Sequence, residues 1–389
     1  MTAPPVIPQP TAIPRPRQRH SALFFISTVV LGLGALAVAT LIVWSGGPIA
    51  AAIAYLLAAV PLPLLILLCL WLDRYQPEPV RYLMAAIAWG AVAAVGIGLG
   101  LSLAASALTG GNDTLNSVFW APVTEEFGKG VFLIVVMVMR RDQLHGVLDG
   151  IVYGGLVGVG FTFTEDALYY LNSLSEGGIG ATTALFIVRG VAGAFGHSLY
   201  AAVFGIGLGI AIGTRSRVLR VVAPILGYVG AVLLHATWNG SATFGGFRGF
   251  VTAYLVAILP ALVALLTIGA WVRRREGQVL RTALTDCARR GWVHPGEVAW
   301  VALLPQRAAA RKYAAARGGR QASRLLRDYQ QTLTEMAFLH HRVMQGRAPK
   351  NADAQMAAIL NRAAAYRPFL ILPPPMTMPP SLERPHHVA

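Results

Sequence analysis

Apolar residues in this chain fall in long blocks separated by short polar breaks. The blocks are Ala22–Trp44, Ile49–Leu72, Tyr82–Leu108, Phe119–Met139, Val147–Leu171, Ala181–Ile212, Val221–Thr243 and Phe250–Val272. Each is at least about as long as the roughly 20 residues a helix needs to cross hydrocarbon. The pattern predicts an all-α fold, a polytopic membrane helix bundle of about eight transmembrane helices spanning residues 21–272. The sixth block is long enough to tilt or to hold two segments. After Val272 the pattern changes: Leu326, Tyr329, Leu333, Met336 and Val343 recur at helical spacing, widened by Leu325 and Leu339. This predicts a basic helical region over 273–372, punctuated by Gly318-Gly319 and Pro349. A basic, Pro-rich leader over 1–20 and a Pro-rich end over 373–389 read as disordered.

Charge then orients the bundle. Arginines cluster at alternate breaks: Arg15, Arg17 and Arg19; Arg74 and Arg81; Arg140 and Arg141; Arg215, Arg217 and Arg220; and Arg273, Arg274 and Arg275. The intervening breaks carry only Asp113, Glu176 and Arg248. The positive-inside rule places both termini of a multi-pass membrane protein in the cytoplasm; a bacterial cell membrane is the expected setting. The composition agrees, at 55% hydrophobic and 13% charged residues. The net charge of +15 arises from loop and tail arginines near anionic headgroups, so no nucleic-acid partner is expected. Cys69 and Cys287 form neither a disulfide framework nor a thiolate metal site.

Ionisable groups within the apolar blocks are the candidate chemistry, because they are costly there and rarely idle. They are Glu125, Glu126 and Lys129 in the fourth block, Glu165 in the fifth, His197 in the sixth and His235 with Asn239 in the seventh. The orientation puts them in one slab biased to the outer leaflet. Glu125 and Lys129, four apart, share a helix face, and Glu126 points about 100° away. Adjacent carboxylates in low dielectric titrate as a unit, which suits a general base beside a protonated or lysine-paired partner. The bland alternative is a salt bridge that only joins helices. Pro122 either starts the fourth helix or kinks it above the glutamates. Phe161 precedes Glu165 by one turn, and Glu165 could bind a metal, hold a histidine or stabilise the fold. Asp166 is expected to pair with Arg189 structurally. His235 and Asn239 share a face, where the amide could donate to an oxyanion or clamp two helices. Gly154, Gly155, Gly158, Gly160, Gly205, Gly207 and Gly209 read as close helix packing.

Four short motifs in order resemble the PrsW family of intramembrane proteases, within the wider group that includes the CAAX prenyl proteases. They are Glu125-Glu126-Phe127-Gly128-Lys129, Phe161-Thr162-Phe163-Thr164-Glu165, His197, and His235-Ala236-Thr237-Trp238-Asn239. Asp73-Arg74-Tyr75-Gln76-Pro77-Glu78-Pro79 also resembles a proline-rich loop common in these proteins. The resemblance covers about Ser21–Val272. It implies hydrolysis of a peptide bond within or beside the membrane, with Glu125 and Glu126 as catalytic carboxylates and His197 and His235 supporting. It also implies a membrane-anchored protein substrate, of which an anti-sigma-factor-like regulator is the best-known kind. The family is described both as glutamic-type and as metal-dependent. With no HExxH helix present, the metal-free reading with no cofactor is preferred; zinc held by Glu165, His197 and His235 is the alternative.

Two other classes compete. Buried glutamates and histidines also form the proton relays of transporters, although no inverted repeat of broken helices is evident. A noncatalytic membrane scaffold is the third reading. For the basic tail, the expected partners are anionic lipid or a cytoplasmic protein.

Overall fold

The computed structural model describes residues 22–139 and 146–374, with side chains from residue 28 onward. It is helical, with no strand among the described residues. The expected leader, the loop arginines Arg140 and Arg141, and nearly all of the expected terminal tail lie outside the described residues. The chain divides into two units, each described by itself. The apolar unit holds residues 20–73 and 77–272; the tail unit holds Arg74–Gln76 and the chain from Arg273.

Four helical stretches of the described chain are apolar and long enough to cross a membrane: Thr28–Leu72, Val80–Leu108, Val147–Gly213 and Arg217–Arg289. The stretch between the second and third is not among them, because Glu125, Glu126 and Lys129 interrupt its apolar run. Large apolar side chains are exposed along these helices, including Leu36, Leu56, Leu67, Leu103, Leu233 and Val256. A soluble surface would not tolerate so many; an integral membrane protein presents them to lipid.

Glycine marks where three of the long stretches turn. Helix α1 (Ala22–Ala59) breaks at Gly47, α7 (Val147–Phe186) at Gly178 and α9 (Arg217–Ala253) at Gly246. All three have positive φ, of 78°, 68° and 52°, which costs a residue without Cβ little. Helix α2 (Leu62–Leu72) comes directly after α1. The sixth apolar block is two segments, since the helix stops between Ala192 and Gly196, where α8 (Gly196–Gly213) begins.

Among the described residues, four π turns interrupt the remaining helices. Trp89–Ala94 joins α3 (Val80–Ala88) to α4 (Val95–Leu108). Asn116–Trp120 joins the short α5 (Asp113–Leu115) to α6 (Ala121–Met139). Ile187–Ala192 ends α7, and Tyr254–Ile258 leads into α10 (Leu259–Arg289), which continues into the tail unit. Pro122 is the second residue of α6, directly after the π turn, so the helix begins before it.

Helix α7 is the spine of the apolar unit, packed by α8, α1, α2, α3 and the turn Trp89–Ala94. Its glycines set how closely neighbours approach. A Cβ on Gly150 would strike the carbonyl of Gly205, one on Gly154 that of Ala201, and one on Gly158 the backbone of His197. Three glycines four residues apart on α7 therefore seat α8 and bring His197 against α7.

The tail unit has its own core. It is built by the end of α10, α11 (Val298–Ala302), α12 (Leu304–Met344, broken at Gly318-Gly319) and α13 (Ala352–Tyr366). The expected stripe holds for Leu325, Leu326, Tyr329, Leu333, Met336 and Leu339, which are buried; Val343 is 39% exposed instead, on the last turn of α12. Tyr75 packs on this core, and its carbonyl accepts from Arg307 at 3.2 Å.

Candidate active site

Helix α6 contributes two glutamates and a lysine. Lys129 is fully buried and Glu126 is 1% exposed; Nζ donates to Glu126 Oε1 at 2.7 Å. Glu125 Oε2 is farther from Nζ, at 3.8 Å. The shared face of Glu125 and Lys129 therefore does not decide the pairing, because the lysine stem swings to the residue three positions back. The ammonium also lies 3.8 Å from the centre of the Phe161 ring, a cation–π contact that is strong where water is excluded.

The histidines come from α8 and α9. His197 Nδ1 meets Lys129 Nζ at 2.8 Å and its Nε2 meets Glu165 at 2.7 Å. An ammonium can only donate, so Nδ1 accepts and Nε2 carries the ring proton to Glu165. His235 Nδ1 lies 3.0 Å from Glu126 Oε1. A carboxylate can only accept, so that nitrogen donates and the Nε2 lone pair is left open, 3.8 Å from Glu125 Oε2. The two imidazole rings are 5.1 Å apart and nearly perpendicular.

One chain of contacts thus links four helices: Arg189, Glu165, His197, Lys129, Glu126 and His235. Arg189 is the member whose sequence context suggests only a structural role. Its Nε does bond Asp166, at 2.6 Å, but its Nη2 also donates to Glu165. It stands on the π turn Ile187–Ala192.

Glu165, Arg189, His197, Tyr200, His235, Trp238 and Asn239 are among the residues that line a cavity. The space open to water in it is about 20 Å³, enough for a single water molecule. Glu125 and Glu126 are not in the lining; His235 and His197 are the groups common to the cavity and the glutamates. Asn239 Nδ2 donates to the carbonyl of Ser117, in the π turn before α6, at 2.8 Å. Two carboxylate oxygens, Glu125 Oε2 and Glu126 Oε2, are buried with no hydrogen-bond partner among the described residues. Tyr200 is not discernible as a site residue in the sequence, where a tyrosine among apolar residues gives no signal.

Glu125, His197 and His235 together offer ligand atoms within 4.8 Å of one another. This trio differs from the one expected, since Glu165 is engaged by Arg189 and His197 and Glu125 takes its place.

Carboxylate, imidazole and ammonium are buried together where apolar helices meet, a set of groups able to activate water. Residues 78–265 match the family model described as PrsW family intramembrane metalloprotease. The chain therefore carries a PrsW-family domain and is a peptidase. No curated protein and no solved structure matches it.

Proposed function

We propose that the protein is an intramembrane endopeptidase that hydrolyses a peptide bond of a membrane-anchored protein, with an anti-sigma-factor-like regulator as one candidate substrate. The observation that carries this is the facing pair Glu125 Oε2 and His235 Nε2, 3.8 Å apart. The carboxylate oxygen has no partner, and the imidazole is held by Glu126 through its other nitrogen. A water bonded to both would give its proton to Glu125 as its oxygen attacks the scissile carbonyl. Glu126 and Lys129 position His235 and His197, Glu165 holds the His197 tautomer, and Asn239 adds a donor at the cavity. Glu125→Gln in purified protein tests this against a transmembrane peptide. Loss of cleavage with normal folding is expected; wild-type turnover would remove Glu125 from the chemistry.

A metal-dependent form of the same reaction is supported by the trio Glu125, His197 and His235 and by the description of the matched family. Three nitrogen and oxygen donors suit a catalytic zinc site with a fourth position open, and an unpartnered carboxylate oxygen fits a ligand role. His235 would bind through Nε2, Glu125 through Oε2, and His197 through a nitrogen now used by Lys129 or Glu165. Bound zinc supplies Lewis acidity and lowers the pKa of a water ligand. Metal analysis of purified wild type and His235→Ala, beside cleavage with and without chelator, separates the two forms. Full activity in metal-free protein retains the glutamate-only form.

The bundle is proposed to cross a bacterial cell membrane eight times with both termini cytoplasmic. The breaks at Gly47, Gly178 and Gly246 support this, as they fall at or near the ends of the apolar blocks. Labelling single cysteines with an impermeant thiol reagent tests it; reaction at position 217 from outside intact cells would overturn it. For the tail unit the proposed partner is anionic lipid or a cytoplasmic protein.

A further inference from the structure

We infer that Tyr200 is a catalytic residue, whose hydroxyl donates to the carbonyl oxygen as that oxygen becomes negative. This rests on the peptidase reading above and adds a residue to it. Tyr200 is 1% exposed, and its Oη has no hydrogen-bond partner among the described residues. Buried hydroxyls are almost always bonded, so an orphan one calls for a reason. Tyr200 also lines the same cavity as His197, His235 and Asn239.

Its ring is fixed by the site itself. It stacks on His235 with centroids 5.0 Å apart and an interplanar angle of 18°, and it meets His197 edge-on at 5.9 Å. The hydroxyl has space because residue 196 is glycine: a Cβ there would lie 3.2 Å from Oη. A donor held rigidly by its ring contacts and not taken by a protein acceptor is what an oxyanion site needs, since it is left for the atom where charge develops. Asn239 is less free for this task, because its amide already holds the carbonyl of Ser117.

The electron count closes without further reagents. The water oxygen bonds the carbonyl carbon, and its proton passes to the carboxylate base. The π pair moves onto the carbonyl oxygen, where Tyr200 lends a hydrogen bond and keeps its proton. Collapse reforms the carbonyl and releases the amine, which takes the proton from the base.

Tyr200→Phe tests this, because it removes only the oxygen. If the hydroxyl served the fold, the variant would melt lower. An unpartnered hydroxyl predicts an unchanged or raised melting temperature. The expected result is a fall in kcat of about 10²-fold, with little change in KM and no loss of thermal stability. A normal kcat, or a lowered melting temperature with normal kcat per folded molecule, overturns the inference. Glu125→Gln is measured in parallel. If it is inactive while Tyr200→Phe is normal, only this inference fails; if both are normal, the peptidase reading of the site fails with it.

Discussion

Both units bury charge, but they complete it differently. In the tail unit, Glu297 is 3% exposed and both its oxygens are used: Oε2 accepts from Tyr329 at 2.7 Å, and Arg367 reaches both. Arg307 closes on Thr334 and the carbonyl of Tyr75. In the apolar unit, Lys129 is shared between Glu126 and His197, His235 hangs on Glu126, and Glu125 Oε2, Glu126 Oε2 and Tyr200 Oη are buried with no partner among the described residues. Closed pairs fix a core. Gln330 Oε1 and Trp300 Nε1 are also buried without a partner in the tail unit, so the difference lies in the linkage. In the apolar unit carboxylate, imidazole and ammonium form one chain of contacts beside a cavity, which leaves donors and acceptors for a reacting molecule.

The comparison is broken most directly at its most shared atom. Glu126→Gln alters the partner of both Lys129 and His235, so kcat should fall by about 10²–10⁴-fold while the protein inserts normally. Turnover near wild type in correctly inserted protein would reduce the chain to packing. Asn239→Ala is expected next, with kcat down about 10²-fold for the lost donor and a lower melting temperature for the freed Ser117 carbonyl. Normal kcat per folded molecule would leave Asn239 as an interhelical clamp only.

Glu297→Ala is the counterpart in the closed network. It strands the Tyr329 hydroxyl and should cost about 1–3 kcal/mol in the tail unit, read as faster hydrogen exchange along α12, with kcat per folded molecule unchanged. A large kcat loss at full stability would show that the tail network serves catalysis. The smallest effect concerns acid. Hydrogen bonds from His340, then Arg290, hold the Asp286 carboxyl below its ordinary range. A depressed carboxyl stabilises the fold above the unfolded value, near pH 4, and loses that contribution as pH falls through the folded one. Asp286→Asn should therefore flatten the acid dependence of exchange at the end of α12, where His340 sits; an unchanged slope would mean the pair contributes nothing.

Much of this site is legible in sequence because the membrane makes it so. Glu126, Lys129, His197 and His235 stand out against apolar neighbours, and the structure brings them into one chain of contacts. The helical blocks are equally plain, and the glycine seam of α7 is visible as spacing. The features hidden from the sequence depend on helix phase. The i, i+4 rule points Lys129 at Glu125, but a long side chain can reach either glutamate. Arg189 is expected to meet Asp166 alone, because a π turn shifts the angular position of the residues after it and no residue type announces one. Tyr200 and the burial of Tyr75 in the tail core depend on tertiary placement, where aromatic residues give no sequence signal.

The four π turns carry a consequence for how this gene can change. A π turn is an α-helix holding one residue more than its hydrogen-bond ladder uses, so deleting one codon there yields a more regular helix. In Ile187–Ala192 such a deletion would rotate the downstream residues by about 100° and carry Arg189 away from Glu165. In Asn116–Trp120 it would move Ser117 off Asn239 and turn the helix that bears Glu125 and Glu126. Substitutions at these turns, Arg189 excepted, should be absorbed far more readily than single-residue deletions. A deletion scan would therefore map the site through positions that never touch a substrate.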